Sequence, residues 1–230
     1  MADKKRKIAA LCNQKGGVGK STLTSVLANY IHNNTKHKVL VLDCDAQKTL
    51  SLQREVEIAS DPNLTKKNLY NIIYVNSENA VEFIENLDDD IDVILLDLPG
   101  TLLQPGVMSC YLLLDYLFMP TNITNKDISS TIEFYDRYMK SVLPTRKALL
   151  KKGSEIYAVL SKVNPRGTEL ETFVSIMHNY PFKFLTSYIP YSEPAFGRND
   201  STIKDYKLSG KEKDTIKNFC NEIISILELN

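Results

Sequence analysis

Lysine, serine and aspartate at a few fixed spacings carry the chemistry this sequence offers. The segment Ile8-Ala-Ala-Leu-Cys-Asn-Gln-Lys15-Gly-Gly-Val-Gly19-Lys20-Ser21-Thr22 reads as a strand, a glycine-rich loop and the start of a helix, whose apolar residues recur through Ile31. Glycines there let consecutive backbone N–H groups turn toward one anion, and the helix N-terminus adds its positive end. Lys20 has the reach for β- and γ-phosphates, and the Ser21 hydroxyl can ligate magnesium. Lys15, Gly16, Gly17, Val18, Gly19, Lys20, Ser21 and Thr22 are therefore expected to surround the phosphates of a nucleotide. A glycine-rich turn that binds nothing is the plainer alternative, and the strand–loop–helix context weighs against it. Gln14 stands where the ordinary Gly-x-x-x-x-Gly-Lys-Ser/Thr pattern has its first glycine, and Lys15 follows it. A second lysine at the mouth of such a loop puts an extra cation beside the transferring phosphoryl group, where charge stabilisation does most of the catalytic work.

Two further apolar strands end in carboxylates. Val39-Leu-Val-Leu-Asp43-Cys-Asp45-Ala-Gln47 places aspartates two apart, on one side of an extended chain, and Asp92-Val-Ile-Leu-Leu-Asp97-Leu-Pro-Gly100 ends a third buried block. Ligands of parallel sheets gather at the carboxyl ends of strands, so these aspartates and the phosphate loop can converge on a magnesium nucleotide. Aspartates that only cap helices or shape turns are the alternative.

The Lys15-Gly-Gly-Val-Gly-Lys-Ser form resembles the deviant Walker A motif of the ParA/MinD family of ATPases. Asp43-Cys-Asp45-Ala-Gln47 resembles that family's Asp-x-Asp-Pro-Gln segment, and Asp97-Leu-Pro-Gly100 its Asp-x-Pro-Pro Walker B segment, with Ala46 and Gly100 standing where prolines are common. The resemblance implies that Lys15 reaches across a nucleotide-sandwich dimer to the partner's ATP, that Asp45 positions or activates the attacking water, and that Asp43 and Asp97 hold magnesium-bound waters beside Ser21. Lys15, Lys20 and Asp45 are the expected catalytic residues. Ile189-Pro190, Glu193-Pro-Ala-Phe-Gly197-Arg198 and Ile203-Lys-Asp-Tyr206 resemble a late segment of the same family, so the likeness runs from about residue 7 to about residue 210. Asp97-Leu-Pro-Gly100 also reads as the Asp-x-x-Gly switch of GTPases, but Asn125-Lys126-Asp127 lacks the spacer of a guanine motif and precedes a helix. ATP is preferred, its base met by the loops around Ser161–Arg166 and Ile189–Pro194, with Asn164 and Pro190 as the named contacts.

Elements must place these groups together. Strand-length apolar blocks, at Lys7–Asn13, Lys38–Asp43, Asn71–Val75, Ile91–Asp97, Tyr116–Pro120, Glu155–Ser161 and Lys183–Tyr188, alternate with helical patterns at Lys20–His32, Asn79–Leu87, Ile128–Val142, Glu169–Asn179 and Lys211–Leu229. That alternation predicts an α/β fold, a doubly wound, mostly parallel sheet of about seven strands flanked by helices. The resemblance makes it a P-loop NTPase of the deviant Walker A type. Polar, aperiodic Leu52–Lys67 reads as a loop with a short helix. One domain over residues 1–230 is expected, without an N-terminal helix-turn-helix module.

The 230 residues are 43% hydrophobic and 24% charged, with 28 basic against 28 acidic side chains, which excludes disorder and any strong global field for polyanions. Cys12, Cys44, Cys110 and Cys220 lie far apart in apolar surroundings and read as reduced thiols of a cytoplasmic protein. No apolar stretch has the length of a signal-peptide core or a membrane span. The zero net charge hides a local excess: Arg137 to Arg166 holds eight basic residues and one acidic, a charge of +7. Such a run can meet duplex phosphates without reading sequence, or be a solvated face. Family resemblance favours nonspecific double-stranded DNA bound in the ATP state, with Arg146, Lys147, Lys151, Lys152, Arg166, Arg198 and Lys204 as candidate contacts. It also implies an ATP-dependent homodimer, nucleoid association, and a ParB-like or other adaptor that stimulates slow hydrolysis during segregation of a plasmid, chromosome or conjugative element. The alternatives are a MinD-like membrane or cargo-positioning switch, a conjugation-associated regulatory ATPase, and an iron–sulfur ATPase. Asp214–Asn230 is not basic enough for the membrane tail, its stripe (Ile216, Phe219, Ile223, Ile226, Leu227) reads as core, and Cys110 alone does not supply a cluster's cysteines. No membrane partner is expected.

Overall fold

The computed structural model describes residues 6–61, 63–64, 67–88, 90–101, 104–166, 168–192, 196, 201–204, 208, 210 and 213–229. Among them, β1 (Lys7–Leu11), β2 (Val39–Asp43), β3 (Asn71–Tyr74), β4 (Val93–Asp97), β5 (Tyr116–Thr121), β6 (Glu155–Val163) and β7 (Lys183–Pro190) match the expected blocks to within two residues at each end. They form one sheet of order β3-β2-β4-β1-β5-β6-β7, every neighbouring pair parallel. The chain leaves β1 toward one edge and returns after β4 to build the other. The order therefore reverses around β4 and β1, and the crevice at their carboxyl ends is where such sheets bind ligands.

The connecting helices are α1 (Lys20–Asn34), α2 (Thr49–Ser60), α3 (Ala80–Glu85), α4 (Val107–Leu113), α5 (Asn125–Arg137), α6 (Leu143–Leu150), α7 (Thr168–Ile176) and α8 (Thr215–Ile226). Alternate strand residues feed the two faces. Ala9, Leu11, Val41, Leu95 and Phe118 pack under α1 and α8, while Ala10, Cys12, Leu42, Leu96 and Met119 pack under α3 to α6. Ile216, Phe219, Ile223 and Leu227 of α8 are buried in the first of these cores, so the C-terminal stripe is consumed by the sheet. The four cysteines are buried free thiols. No described helix is long and apolar enough to cross a membrane.

Three helices differ from the sequence reading. Segment 52–67 is not mostly loop, because α2 begins at Thr49 and runs twelve residues. Its buried side chains include Ser51 and Arg54, whereas Leu52 and Val56 face solvent, so hydrophobic periodicity could not report it. Short α4 lies inside an apolar run without a polar face. The helix expected to stop at Val142 continues through a π turn, Tyr138–Val142, into α6. Pro144 cannot donate a backbone hydrogen bond, and the wider turn absorbs that loss.

The basic run is not one surface. Arg146 is fully buried: Nε donates to the Gly153 carbonyl, Nη1 to the Leu112 carbonyl, and Nη2 pairs with Asp115 at 2.8 Å. Lys152 also pairs with Asp115, whose second oxygen accepts from the Ile8 N–H. Arg146 therefore cannot contact DNA, and Lys152 is largely committed. Nine-residue β6 separates Lys147 and Lys151 from Arg166 by about 27 Å at about 3.3 Å per residue. Exposed Lys204 is elsewhere again, its backbone carbonyl accepting from Asn29 of α1. Arg198 lies outside the described residues. Removing the fully buried Arg146 leaves half-buried Asp115 with only Lys152 and leaves the Gly153 and Leu112 carbonyls without this donor, so Arg146→Ala should lose about 3 kcal/mol of unfolding free energy in urea. A loss below about 1 kcal/mol would show that the pair is not buried in solution.

Candidate functional site

The phosphate loop joins β1 to α1. Gly17 (φ 73°) and Gly19 (φ 94°) hold left-handed backbone that turns the chain into the helix, which is why side chains are absent there. Three consecutive residues before them are tied to α5. Buried Asn13 donates to the Pro120 carbonyl at 2.9 Å and to Thr131 Oγ1 at 2.8 Å, and its Oδ1 accepts from the Lys15 N–H. Gln14 donates to the Ser130 carbonyl and Glu133 Oε2, both at 3.2 Å. Lys15 Nζ stands 3.4 Å from Asp127 Oδ1 in the first turn of α5. Gln14, the departure from the common loop pattern, is thus an anchor. Neither it nor Asn13 carries a motif signal, because their partners lie more than 100 residues away.

Lys20 Nζ donates to the Lys15 carbonyl at 3.4 Å, across the mouth of the loop. Gly100 lies close by: a Cβ there would sit 3.2 Å from the Gln14 carbonyl oxygen and 3.4 Å from Lys20 Nζ. A side chain at Gly100 would require these neighbours to move by a few tenths of an ångström.

Asp43 and Asp97 are register partners at the ends of β2 and β4, and both are buried. Asp43 Oδ2 accepts from the N–H groups of Leu50 and Ser51 at 3.1 and 2.9 Å and from Ser51 Oγ at 2.9 Å. It caps α2 from a neighbouring strand, replacing the local cap that Lys48, with φ 54°, does not make. Asp43 Oδ1 and both carboxylate oxygens of Asp97 have no hydrogen-bond partner among the described residues. Burial pushes the Asp97 carboxyl up to about 7; the Ser21 hydroxyl and Lys20 oppose this, while Asp43 and Asp45 add to it. Partly exposed Asp45 accepts from the Gln47 N–H at 2.9 Å, which closes the turn after β2 without proline.

Three buried carboxyl oxygens without a hydrogen-bond partner among the described residues, beside a serine hydroxyl, fit a hydrated divalent cation, whose charge would favour the ionised form of Asp97. No group of three or more His, Cys, Asp or Glu among the described residues is placed to hold a metal ion. Magnesium keeps several waters and shares phosphate oxygens, a habit that a serine hydroxyl with two carboxylates acting through water can meet.

On the other side of the loop, Lys162, Asn164, Arg166, Pro190 and Tyr191 line a cavity of about 600 Å³. Asn164 and Pro190, named from separate late segments, therefore line one cavity, while Asn164 Oδ1 accepts from the Arg166 N–H at 3.1 Å. Asp127 of the Asn125-Lys126-Asp127 triplet is occupied by Lys15 and Thr124 in a helical turn, so it offers no guanine pocket. Thr22 sits in the first turn of α1, its carbonyl accepting from Ser25.

A family model described as the CobQ/CobB/MinD/ParA nucleotide binding domain matches residues 9–199. A virulence plasmid ParA family protein, pGP5-D of Chlamydia psittaci, is 29% identical over 145 residues, covering 48% of this chain and 55% of its own length. The match thus spans about half of that curated relative. Among solved structures, a plasmid partition protein from Borrelia burgdorferi B31 bound to AMPPNP superposes with a TM-score of 0.66 at 20% identity, covering 96% of this chain and 99% of that one. The pNOB8 ParA structure bound to nonspecific DNA gives 0.58 at 16% identity over 97% and 99%. At these identities the structures report a shared fold.

Asp97 yields a test of the cation site. Its carboxyl has an ordinary value of 3.8 and a folded value of about 7, so folding takes up a proton and stability falls as pH rises through that window. In chelator, wild-type unfolding free energy should drop between pH 5 and pH 8, and Asp97→Asn should flatten the profile and gain roughly 2 kcal/mol at pH 8. Equal pH profiles for the two proteins would show that Asp97 is not held desolvated.

Proposed function

We propose, from the premise that this chain belongs to the CobQ/CobB/MinD/ParA nucleotide-binding family, that it is a magnesium-dependent ATPase switch of ParA type, closing as a dimer on ATP and acting in DNA segregation. One observation carries the reading most: Lys20 and Ser21 of a phosphate loop stand beside two buried carboxylates, three of whose oxygens have no hydrogen-bond partner among the described residues. A phosphate-bound cation would satisfy what the protein leaves open. Ser21, with Asp43 and Asp97 through water, would hold it, and magnesium supplies charge neutralisation along the β- and γ-phosphates.

The roles of the chain's own groups follow from their positions. Backbone N–H groups from Gly16 to Thr22 bind the phosphates, and Lys20 exchanges the Lys15 carbonyl for phosphate oxygen. Asp45, at a turn beside the crevice, orients the attacking water. Lys15 leaves Asp127 and crosses to the nucleotide of a second protomer. The base enters the cavity of Asn164, Pro190 and Tyr191, and the helical setting of Asp127 supports adenine over guanine. With Mg-ATP, Lys20→Ala should lose nucleotide binding, and Asp45→Ala should retain an ATP-bound dimer with little hydrolysis. Lys15→Ala should bind ATP yet sediment as a monomer. A dimer unaffected by that change would remove its trans role, and equal affinity for GTP would count against the adenine assignment.

For DNA, the exposed lysines Lys147 and Lys151 of the basic run, with exposed Lys140 nearby in sequence, are the candidate contacts, doubled in a dimer. The nonspecific DNA in the pNOB8 ParA structure supports the class of partner. An adaptor of ParB kind would stimulate hydrolysis and release the complex. Duplex affinity should require ATP and fall steeply with salt. Lys147→Glu with Lys151→Glu should flatten the plot of log K against log salt by about 0.9 for each phosphate no longer neutralised. Affinity independent of ATP, or of salt, would overturn DNA binding as the output.

A further inference from the structure

The end of β6 grips the phosphate loop from outside any of the motifs. Successive side chains of a regular strand point to opposite faces, so Ser161 and Lys162 should not reach the same neighbour. Both do. Ser161 Oγ donates to the Val18 carbonyl at 3.1 Å, and Lys162 Nζ donates to the Gly17 carbonyl at 2.7 Å. An irregular strand end permits this. The β6–β7 register slips between Ala158 and Leu160 and again between Ser161 and Val163. Lys162 itself has φ 57°, a left-handed conformation that disfavours a side chain. Asn122, just beyond β5, braces the bend, with Nδ2 donating to the Ser161 carbonyl at 3.2 Å and the Lys162 carbonyl at 2.7 Å.

The consequence lies in the loop's peptide planes. In a trans peptide the carbonyl and the following N–H point in opposite directions. Holding the Gly17 carbonyl toward β6 therefore turns the Val18 N–H away from it, and holding the Val18 carbonyl does the same for the Gly19 N–H. Two adjacent donors are aimed together before any anion arrives, as in an anion-binding nest. The exposed ammonium of Lys162 also lines the cavity shared by Asn164 and Arg166, so it stands between that cavity and the loop.

We propose that Lys162 is a positioning residue for the nucleotide, setting the Gly17–Val18 peptide to receive phosphate and adding a cation on the cavity side of the loop. This deepens the nucleotide reading above and rests on it. The ligand class is a nucleoside di- or triphosphate, and the contribution goes to its phosphates.

Binding of ADP, ATP and inorganic tripolyphosphate to the full chain in magnesium tests it, together with steady-state hydrolysis. Lys162→Met should weaken all three ligands about tenfold and raise KM for ATP similarly with kcat within twofold of wild type. Lys162→Arg should recover most of the affinity. Lys162→Gly relieves the left-handed strain, so it should melt no lower than wild type yet bind as weakly as Lys162→Met; that separates positioning from folding. Wild-type affinity in both Lys162→Met and Lys162→Gly would overturn the proposal, as would a loss confined to variants that melt early. Failure of the wild-type chain to bind ADP or ATP would instead overturn the nucleotide reading itself.

Discussion

Two carboxylates buried side by side at the ends of neighbouring parallel strands set the terms for everything around them. Asp43 and Asp97 are in register, and like charges without water repel strongly. The fold relieves only part of that. The α2 N-terminus takes one oxygen of Asp43 through two backbone N–H groups and the Ser51 hydroxyl, which also makes the strand end the cap of the helix after it. Asp97 receives no such bonds and meets its burial by a raised proton affinity, with Ser21 and Lys20 nearby. A cation at this pair would relieve the strain of burying both carboxyls, which is why the proposed magnesium site falls beside the phosphate loop.

That loop is ordered by elements remote in sequence. On one side, α5 takes Asn13, Gln14 and Lys15; on the other, the bent end of β6 takes Gly17 and Val18. Glycines alone would leave the loop free to adopt many conformations, and loss of that freedom would oppose binding. Tethers from both sides remove much of it in advance. They also connect the loop to the face of α5 and to the cavity at the carboxyl ends of β6 and β7, so changes at either place reach the loop through short, identifiable contacts. Lys15 carries a particular constraint: its ammonium is paired within its own chain, and any role in a second protomer must exchange Asp127 for another anion.

The basic run shows the limit of reading charge along a chain. Between Arg137 and Arg166 it amounts to +7, yet Arg146 is an internal counter-ion for Asp115, Lys152 shares that carboxylate, and β6 carries Arg166 to the far end of the sheet. Sequence proximity is not spatial proximity when a strand intervenes, and nothing local to Arg146 distinguishes it from Lys147. Helix α2 was hidden for a related reason. Its stability comes from Asp43 at its start and from Arg54, which donates to the Tyr70 carbonyl and to Thr202, whereas its apolar Leu52 and Val56 face outward.

By itself the sequence determined the seven strands, their parallel arrangement and the phosphate loop with its three aspartates, because each is encoded locally: in apolar blocks buried on both faces, in glycines needed for turning, and in carboxylates at strand ends. The late segments bearing Asn164 and Pro190 were singled out through a likeness spread along the chain, and the fold places both on one cavity. Only the tertiary structure decided which oxygens of those aspartates remain unsatisfied, which lysines are engaged internally, and that Asn13, Gln14, Ser161 and Lys162 hold the loop. Those outcomes depend on partners separated by tens to more than a hundred residues and on desolvation, and neither is a property of a residue or its neighbours in sequence.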